Sequence, residues 1–99
     1  MIKTIKYISV GDCMYCSALK ETIRDFLADW NTEVHISWEL WSRDEADFRA
    51  KCDALKAQEE VAAKGHATFP FVWINDTFVG GFAEADRHLR TALLTQDLD

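Results

Sequence analysis

The chain has 99 residues, the size of one domain, because two halves of that length would each be too small to hold a core. Hydrophobic residues make up 48% of the chain and aromatic residues 12%, which excludes an intrinsically disordered protein. Eleven basic and 17 acidic residues give a formal net charge of -6 at pH 7. With that charge and no cluster of Lys and Arg, we expect binding neither to nucleic acid nor to an anionic membrane surface.

The N-terminal stretch and the cysteines indicate the compartment. Lys3 and Lys6 interrupt residues 1–10, which are too short for the apolar region of a signal peptide. No run in the chain approaches the roughly 20 apolar residues of a membrane span. Three cysteines are also too few, and odd in number, for the disulfide framework of a secreted domain. We therefore expect a cytoplasmic protein.

Apolar periodicity predicts three elements in the first half of the chain. Residues 4–10 are rich in β-branched side chains and apolar on both faces, as in a central parallel strand. Residues 14–30 follow the spacing of an amphipathic helix. Residues 33–41 alternate as in a half-buried strand. The face of that strand that we expect to be buried is made of Val34, Ile36, Trp38 and Leu40.

The second half of the chain begins with a predicted helix and a hairpin. The capping-box sequence Ser42-Arg-Asp-Glu45 is typical of a helix start, and Lys64-Gly65 of a helix end with glycine in the left-handed cap. Two short strands over residues 71–74 and 77–79 are joined by Asn75-Asp76, a two-residue turn that tolerates positive φ.

A last helix is predicted over residues 84–94, and the elements then follow the order βαβαββα. One crossover makes a parallel strand pair, and the hairpin adds antiparallel pairing. Right-handed crossovers place the helices on both faces of the sheet. We therefore predict an α/β fold with a four-stranded mixed sheet, as a single domain over residues 1–99.

Cys13 and Cys16 lie three residues apart, between the first strand and the first helix. A thiol at a helix N-terminus meets unpaired backbone N–H groups and the positive end of the helix dipole, both of which favour the thiolate. Cys16, one turn later on the same face, can attack a mixed disulfide formed on Cys13. The pattern predicts redox chemistry, with Cys13 as the nucleophile and Cys16 as the resolving thiol.

A zinc site is the competing interpretation of this pair, because Cys-x-x-Cys also supplies half of a zinc knuckle. Tetrahedral zinc would need two more ligands. The remaining candidates contain no second close pair; they are Cys52, His35, His66 and His88. Two unrelated buried cysteines are a further alternative, and Cys52 itself lies on an apolar helix stripe, where we expect a core residue.

Two further segments suggest where a substrate would lie. Pro70 is the one proline of the chain and opens a strand, where its missing N–H is tolerable. A cis Phe69–Pro70 bond would offer the backbone of Phe69 to an incoming thiol substrate. Gly80-Gly81 permits positive φ and close approach of the backbone to a ligand. Each segment also has a plain structural interpretation, as a strand start and as a turn into a helix.

Taken together, the three segments resemble those of the glutaredoxin family. Cys13-Met-Tyr-Cys16 stands where that family has Cys-Pro-Tyr-Cys, followed by Thr68-Phe-Pro70 and by Val79-Gly-Gly81 before the last helix. Order and spacing agree along essentially the whole chain, which looks most like the dithiol forms of phages and bacteria. The resemblance implies a thioredoxin-like fold with Pro70 in cis.

The resemblance also implies an activity, partners and a substrate groove. The protein would reduce glutathione mixed disulfides or protein disulfides, with glutathione as co-substrate and no metal required. Ribonucleotide reductase is a familiar client of such proteins, which act in electron transport and cell redox homeostasis, and we expect a monomer. The implied glutathione-binding residues are Tyr15, Thr68, Phe69, Pro70, Gly80, Gly81, Phe82 and Glu84.

The chain departs from the family pattern at positions that hold glutathione. Val10 and Ala67 stand where glutaredoxins often carry basic residues for a glutathione carboxylate, and Lys64 or His66 would have to substitute. Glu84 is the counterpart of the Ser or Asp residues that follow the glycines in the family.

The active-site loop departs as well. Asp12 adds a negative charge beside Cys13 that opposes thiolate formation. Met14 replaces a proline, and some relatives without that proline bridge a 2Fe-2S cluster between two protomers with glutathione as co-ligand. The missing proline leaves an iron–sulfur cluster protein open as an alternative, and the missing cations at positions 10 and 67 leave open a redoxin recycled by thioredoxin reductase.

Overall fold

The computed structural model describes residues 1–96; the last three residues of the predicted domain lie outside this range. Within it, no helix is long and apolar enough to cross a membrane. The described chain forms, in order, β1 (Thr4–Val10), α1 (Met14–Asp29), β2 (His35–Trp41), α2 (Phe48–Ala57), α3 (Glu59–Ala63), β3 (Phe71–Ile74), β4 (Thr77–Gly80) and α4 (Phe82–Thr95).

The strands form one four-stranded mixed sheet in the order β2-β1-β3-β4. β1 pairs in parallel with β2, with Thr4 opposite His35, and antiparallel with β3, with Ile5 opposite Ile74. The two-sided apolar pattern of β1 is explained by this central position, since both of its faces are covered. The predicted α/β class and sheet are confirmed.

Each face of the sheet buries its own apolar cluster. Because successive side chains of a strand point to opposite faces, β1 contributes to both clusters. The first cluster lies against α1 and α4 and includes Ile5, Tyr7, Leu19, Ile23, Phe26, Ala85 and Leu89. The second lies against α2 and α3 and includes Ile8, Val10, Trp41, Leu55, Val61, Phe71 and Phe78. Helices therefore cover both faces, as predicted.

The hairpin turn between β3 and β4 forms as the sequence indicates. Asn75 and Asp76 have φ of 52° and 65°, the pair of positive values that a two-residue hairpin of this type requires. The Asn75 side chain also accepts a hydrogen bond from the backbone N–H of Lys3 at 2.7 Å and donates one to the carbonyl of Met1 at 2.9 Å. The turn therefore fixes the chain just before β1.

The helix predicted to start at Ser42 begins later. The hydroxyl of Ser42 accepts a hydrogen bond from the backbone N–H of Asp44 at 3.3 Å, and the Glu45 side chain pairs with Lys51 at 3.2 Å. Both halves of the predicted capping box are thus engaged in a turn, and the helix starts at Phe48.

Gln58 divides this predicted helix in two, with φ of −58° and ψ of 137°. Leu55 and Val61 on either side are both buried in the second cluster. Six residues apart on one continuous helix, they would point about 120° away from each other. The break lets both face the sheet, and the second segment still ends with Gly65 at φ 62°, the left-handed cap that was predicted.

β2 is less buried than its alternation predicts. Ile36 packs against the first cluster, but Trp38 is 60% exposed and Leu40 is 63% exposed. β2 is an edge strand, and within residues 1–96 no helix packs extensively on it. Alternation therefore identified the strand correctly, but it did not reveal that the outer half lacks a covering layer.

Candidate active site

Cys13 and Cys16 form a disulfide across the first turn of α1. Cys13 is the N-cap residue of the helix, and its Sγ accepts a hydrogen bond from the backbone N–H of Cys16 at 3.2 Å. Cys13 is partly exposed, whereas Cys16 is only 3% exposed. The exposed sulfur is therefore the one at the helix terminus, where backbone N–H groups favour a thiolate.

The turn that delivers Cys13 to this position depends on the residue before it. Asp12 has φ of 53°, in the left-handed region that Asp and Asn adopt more readily than most residues. Gly11 and Asp12 are both exposed, so the chain leaves the buried strand β1 and enters α1 through a solvent-facing turn. The carboxylate of Asp12 therefore lies next to Cys13 in sequence but in a screened environment.

The predicted cis bond between Phe69 and Pro70 is present. The Phe69 ring is held by three aromatic neighbours, at centroid distances of 5.9 Å to Trp41, 6.1 Å to Phe48 and 5.1 Å to Phe71. Both Cys13 and Phe69 pack against the second apolar cluster. The Phe69–Pro70 loop is thus anchored on the same cluster as Cys13.

The Gly80-Gly81 turn leads directly into α4. Gly80 has φ of 123°, a backbone conformation that residues with a Cβ rarely adopt, so glycine is required. The Glu84 carboxylate accepts a hydrogen bond from the backbone N–H of Gly81 at 2.8 Å. Glu84, expected as a glutathione ligand, thus uses one oxygen to cap its own helix.

Tyr15 and Phe82 connect the first turns of α1 and α4. Their ring centroids are 6.1 Å apart, and Tyr15 is 59% exposed. Met14 beside it is 77% exposed, while Thr68 is exposed on the Pro70 loop. The structure therefore brings Tyr15 together with Phe82 next to the disulfide and leaves Thr68 at the surface.

His66 joins the two remaining segments. Its Nε2 lies 3.1 Å from the carbonyl oxygen of Pro70, and its ring lies against Gly81. From the sequence, this histidine is a candidate only for a zinc ligand or for a substitute cation. Neither periodicity nor a motif reveals its contact with Gly81, because the contact joins a loop to a turn 15 residues further along the chain.

The positions that depart from the glutaredoxin pattern differ in exposure. Val10 is 3% exposed within the second cluster, while Ala67 is at the surface. Lys64 and His66 line a small cleft of about 240 Å³ together with Val79, Gly80 and Glu84. Lys64 and His66 are therefore placed beside the Gly80-Gly81 turn.

A larger cleft of about 860 Å³ lies between the C-terminal end of α1, β4 and α4. Among the predicted site residues only Glu84 reaches its lining. In the described part of the chain, no group of three or more His, Cys, Asp or Glu is arranged to hold a metal ion. The disulfide and its surroundings, rather than the larger cleft, are the candidate active site.

Two solved glutaredoxins share this architecture. Glutaredoxin 1 from Francisella tularensis, crystallised with cacodylate, superposes with a TM-score of 0.65 at 22% identity, over 92% of this chain and 96% of that one. Oxidized glutaredoxin 2 from Chlamydomonas reinhardtii gives 0.63 at 26% identity, over 96% of this chain and 78% of that one. No protein-family profile and no curated protein sequence matches the chain significantly.

The chain thus has the thioredoxin-like fold of glutaredoxins and carries a Cys-x-x-Cys disulfide at the N-terminus of α1. That combination supports a thiol–disulfide oxidoreductase.

Proposed function

We propose that the protein is a glutathione-dependent oxidoreductase that reduces protein disulfides or glutathione mixed disulfides in the cytoplasm. The observation that carries the proposal is the asymmetry of the cysteine pair. Cys13 is partly exposed and accepts an N–H hydrogen bond at 3.2 Å, while Cys16 is buried one turn behind it. An accessible thiolate backed by a protected second thiol suits attack followed by resolution.

The reaction begins with reduced Cys13 and Cys16. The Cys13 thiolate attacks one sulfur of the substrate disulfide, a new sulfur–sulfur bond forms, and the displaced substrate thiolate takes a proton from water. The Cys16 thiolate then attacks Sγ of Cys13 and releases the second substrate thiol. Two electrons have passed to the substrate, and the Cys13–Cys16 disulfide remains.

Glutathione would return the protein to the dithiol. One glutathione thiolate attacks Sγ of Cys13, forming a mixed disulfide and releasing Cys16 as a thiol. A second glutathione attacks the glutathione sulfur of that mixed disulfide, leaving oxidised glutathione and the Cys13 thiolate. With a glutathione mixed disulfide as substrate, Cys13 takes up the glutathionyl group directly, so Cys16 is not needed.

The groove for glutathione would run from the Phe69–Pro70 loop to the Gly80-Gly81 turn. The Phe69 backbone would pair with the cysteine part of glutathione, and the positive end of the α4 dipole suits the γ-glutamyl carboxylate. Tyr15 and Phe82, in ring contact at 6.1 Å, would form the apolar wall beside Cys13. Lys64 lines the small cleft beside Gly80. It would bind a glutathione carboxylate in place of the basic residues that are missing at positions 10 and 67.

The test is the choice of electron donor for a protein disulfide such as insulin. Purified protein is supplied either with glutathione, glutathione reductase and NADPH, or with thioredoxin reductase and NADPH. We expect NADPH oxidation with the glutathione system, and Lys64→Ala should raise the KM for glutathione. Turnover with thioredoxin reductase alone would replace this proposal with the thioredoxin-type alternative.

The iron–sulfur alternative has its own test. Met14 stands in place of the loop proline, so the loop lacks the residue that would fix its φ angle. The Met14 side chain is 77% exposed. Anaerobic reconstitution with iron, sulfide and glutathione should leave the protein colourless and of unchanged size under this proposal. A brown, glutathione-dependent dimer would favour the cluster-binding function.

A further inference from the structure

His66 contacts both walls of the proposed groove. Its Nε2 lies 3.1 Å from the carbonyl oxygen of Pro70, so with the proton on Nε2 it donates a hydrogen bond there. The ring also meets Phe71 and Phe78 edge-on, at centroid distances of 4.8 Å and 5.6 Å. These contacts leave the ring half-buried and fixed in orientation.

Gly81 lies near the Nε2–Cε1 edge of the same ring, beside the Pro70 carbonyl. A Cβ on Gly81 would lie 2.8 Å from Cε1 of His66, 3.3 Å from its Nε2 and 3.4 Å from the carbonyl oxygen of Pro70. Gly81 itself is buried, and its backbone N–H is held by Glu84. The imidazole and the proline carbonyl therefore occupy the space that a side chain at position 81 would need, so the turn, the ring and the loop are packed closely together.

We propose that His66 is a positioning residue that sets the spacing between the Pro70 loop and the Gly80-Gly81 turn, and so the fit of the substrate. The inference rests on the proposed function, because it assigns both segments to the substrate groove. Pro70 is buried, so its carbonyl depends on a protein donor. Without the His66 N–H, the loop would shift to find another donor, and the groove would lose its fixed width.

Two substitutions separate the hydrogen bond from the packing. His66→Phe keeps a flat ring between Phe71 and Phe78 but removes the donor. His66→Gln removes the ring, but its amide nitrogen reaches about as far from the backbone as Nε2 and restores the N–H. His35→Phe, an exposed histidine on β2, is the matched control for loss of a histidine.

The variants are compared in two assays, glutathione-driven reduction of a small glutathione mixed disulfide, and reduction of insulin with dithiothreitol as electron donor. We expect His66→Phe to raise the KM for the disulfide substrate about three- to tenfold, the worth of one net hydrogen bond, with kcat little changed. His66→Gln should recover most of that KM, and His35→Phe should match the wild type. Thermal melting and the alkylation rate of Cys13 are measured alongside.

The two assays keep the inference separate from the proposed function. A wild type active only with dithiothreitol would reject glutathione dependence, and the insulin KM would then decide the role of His66. If His66→Phe melts earlier but keeps the wild-type KM in every assay that the wild type supports, His66 only packs and the inference is wrong. A KM that rises equally in His66→Phe and His66→Gln would also overturn it, because the donor would not matter.

Discussion

The backbone N–H of Cys16 points at Sγ of Cys13 from 3.2 Å, so one cysteine of the disulfide donates a hydrogen bond to the sulfur of the other. Once the disulfide is reduced, that N–H and the others of the first helical turn face a sulfur able to carry negative charge. Under the proposed function, attack by Cys13 and resolution by Cys16 would both take place within this one helical turn.

Asp12 should restrain the nucleophile. Asp12→Asn removes a negative charge beside Cys13, and Asn also accepts the positive φ of 53° at this position. We expect the alkylation of reduced Cys13 by iodoacetamide at neutral pH to become about twofold faster, in keeping with a solvent-screened charge. Asp25→Asn, on the exposed face of α1, serves as the control. An unchanged rate in Asp12→Asn would show that this charge has no influence on the thiolate.

Cys16→Ser should divide the two activities. Reduction of a glutathione mixed disulfide needs only Cys13 and should persist, whereas reduction of protein disulfides should fall by more than about tenfold, because the intramolecular release step is lost. Mass spectrometry should then find the client trapped on Cys13. Cys52→Ser is the matched control, since Cys52 is the free cysteine of the described chain and is half-buried in α2. Equal loss of both activities in Cys16→Ser would contradict the assigned roles.

Glu84 has a capping role that can be separated from substrate binding. Glu84→Ala removes the bond to the Gly81 N–H and should lower the free energy of unfolding by about 1 kcal/mol, a drop in Tm of about 4–8 °C for a domain of this size. Glu84→Gln retains the capping geometry and should keep most of the stability. If the carboxylate also receives the amino group of glutathione, the KM for glutathione rises in both variants. An unchanged KM in both would limit Glu84 to capping.

Tyr7 should make the fold sensitive to alkaline pH. Burial raises the pKa of Tyr7 above its ordinary value of 10.0, so the folded chain holds a proton that the unfolded chain releases more readily. The resulting stability is fully present below pH 10.0 and is lost as the pH rises through the folded-state pKa. Chemical denaturation at a series of alkaline pH values should show a shallower loss for Tyr7→Phe than for the wild type. Tyr15→Phe, whose ring is 59% exposed, should follow the wild type, and identical slopes in all three proteins would contradict the prediction.

Much of the fold was readable from local sequence chemistry. The two-sided apolar pattern of β1 predicted a central strand, and Asn75-Asp76 predicted a hairpin with positive φ. In both cases the deciding interaction lies within a few residues, in the alternation of side chains or in the dihedral preference of a turn. The cis bond before Pro70 was predicted only through the glutaredoxin resemblance and the position of the one proline.

The features that sequence reasoning missed are decided by distant partners. The break at Gln58 exists because Leu55 and Val61 must both reach the sheet, a requirement that helix propensity does not contain. The exposure of Trp38 follows from the edge position of β2, which is a property of the whole sheet. The position of His66 beside the Gly80-Gly81 turn depends on Gly81, which comes 15 residues later in the chain.

The central claim is that Cys13 carries glutathione-dependent disulfide reduction, and the most direct measurement is steady-state reduction of a small glutathione mixed disulfide coupled to glutathione reductase. The wild type and Cys13→Ser are compared at equal concentration, with correct folding of both established by circular dichroism. We expect turnover in the wild type and none above the uncatalysed rate in Cys13→Ser. Turnover that survives in Cys13→Ser, or a wild type that turns over no mixed disulfide, would contradict the account.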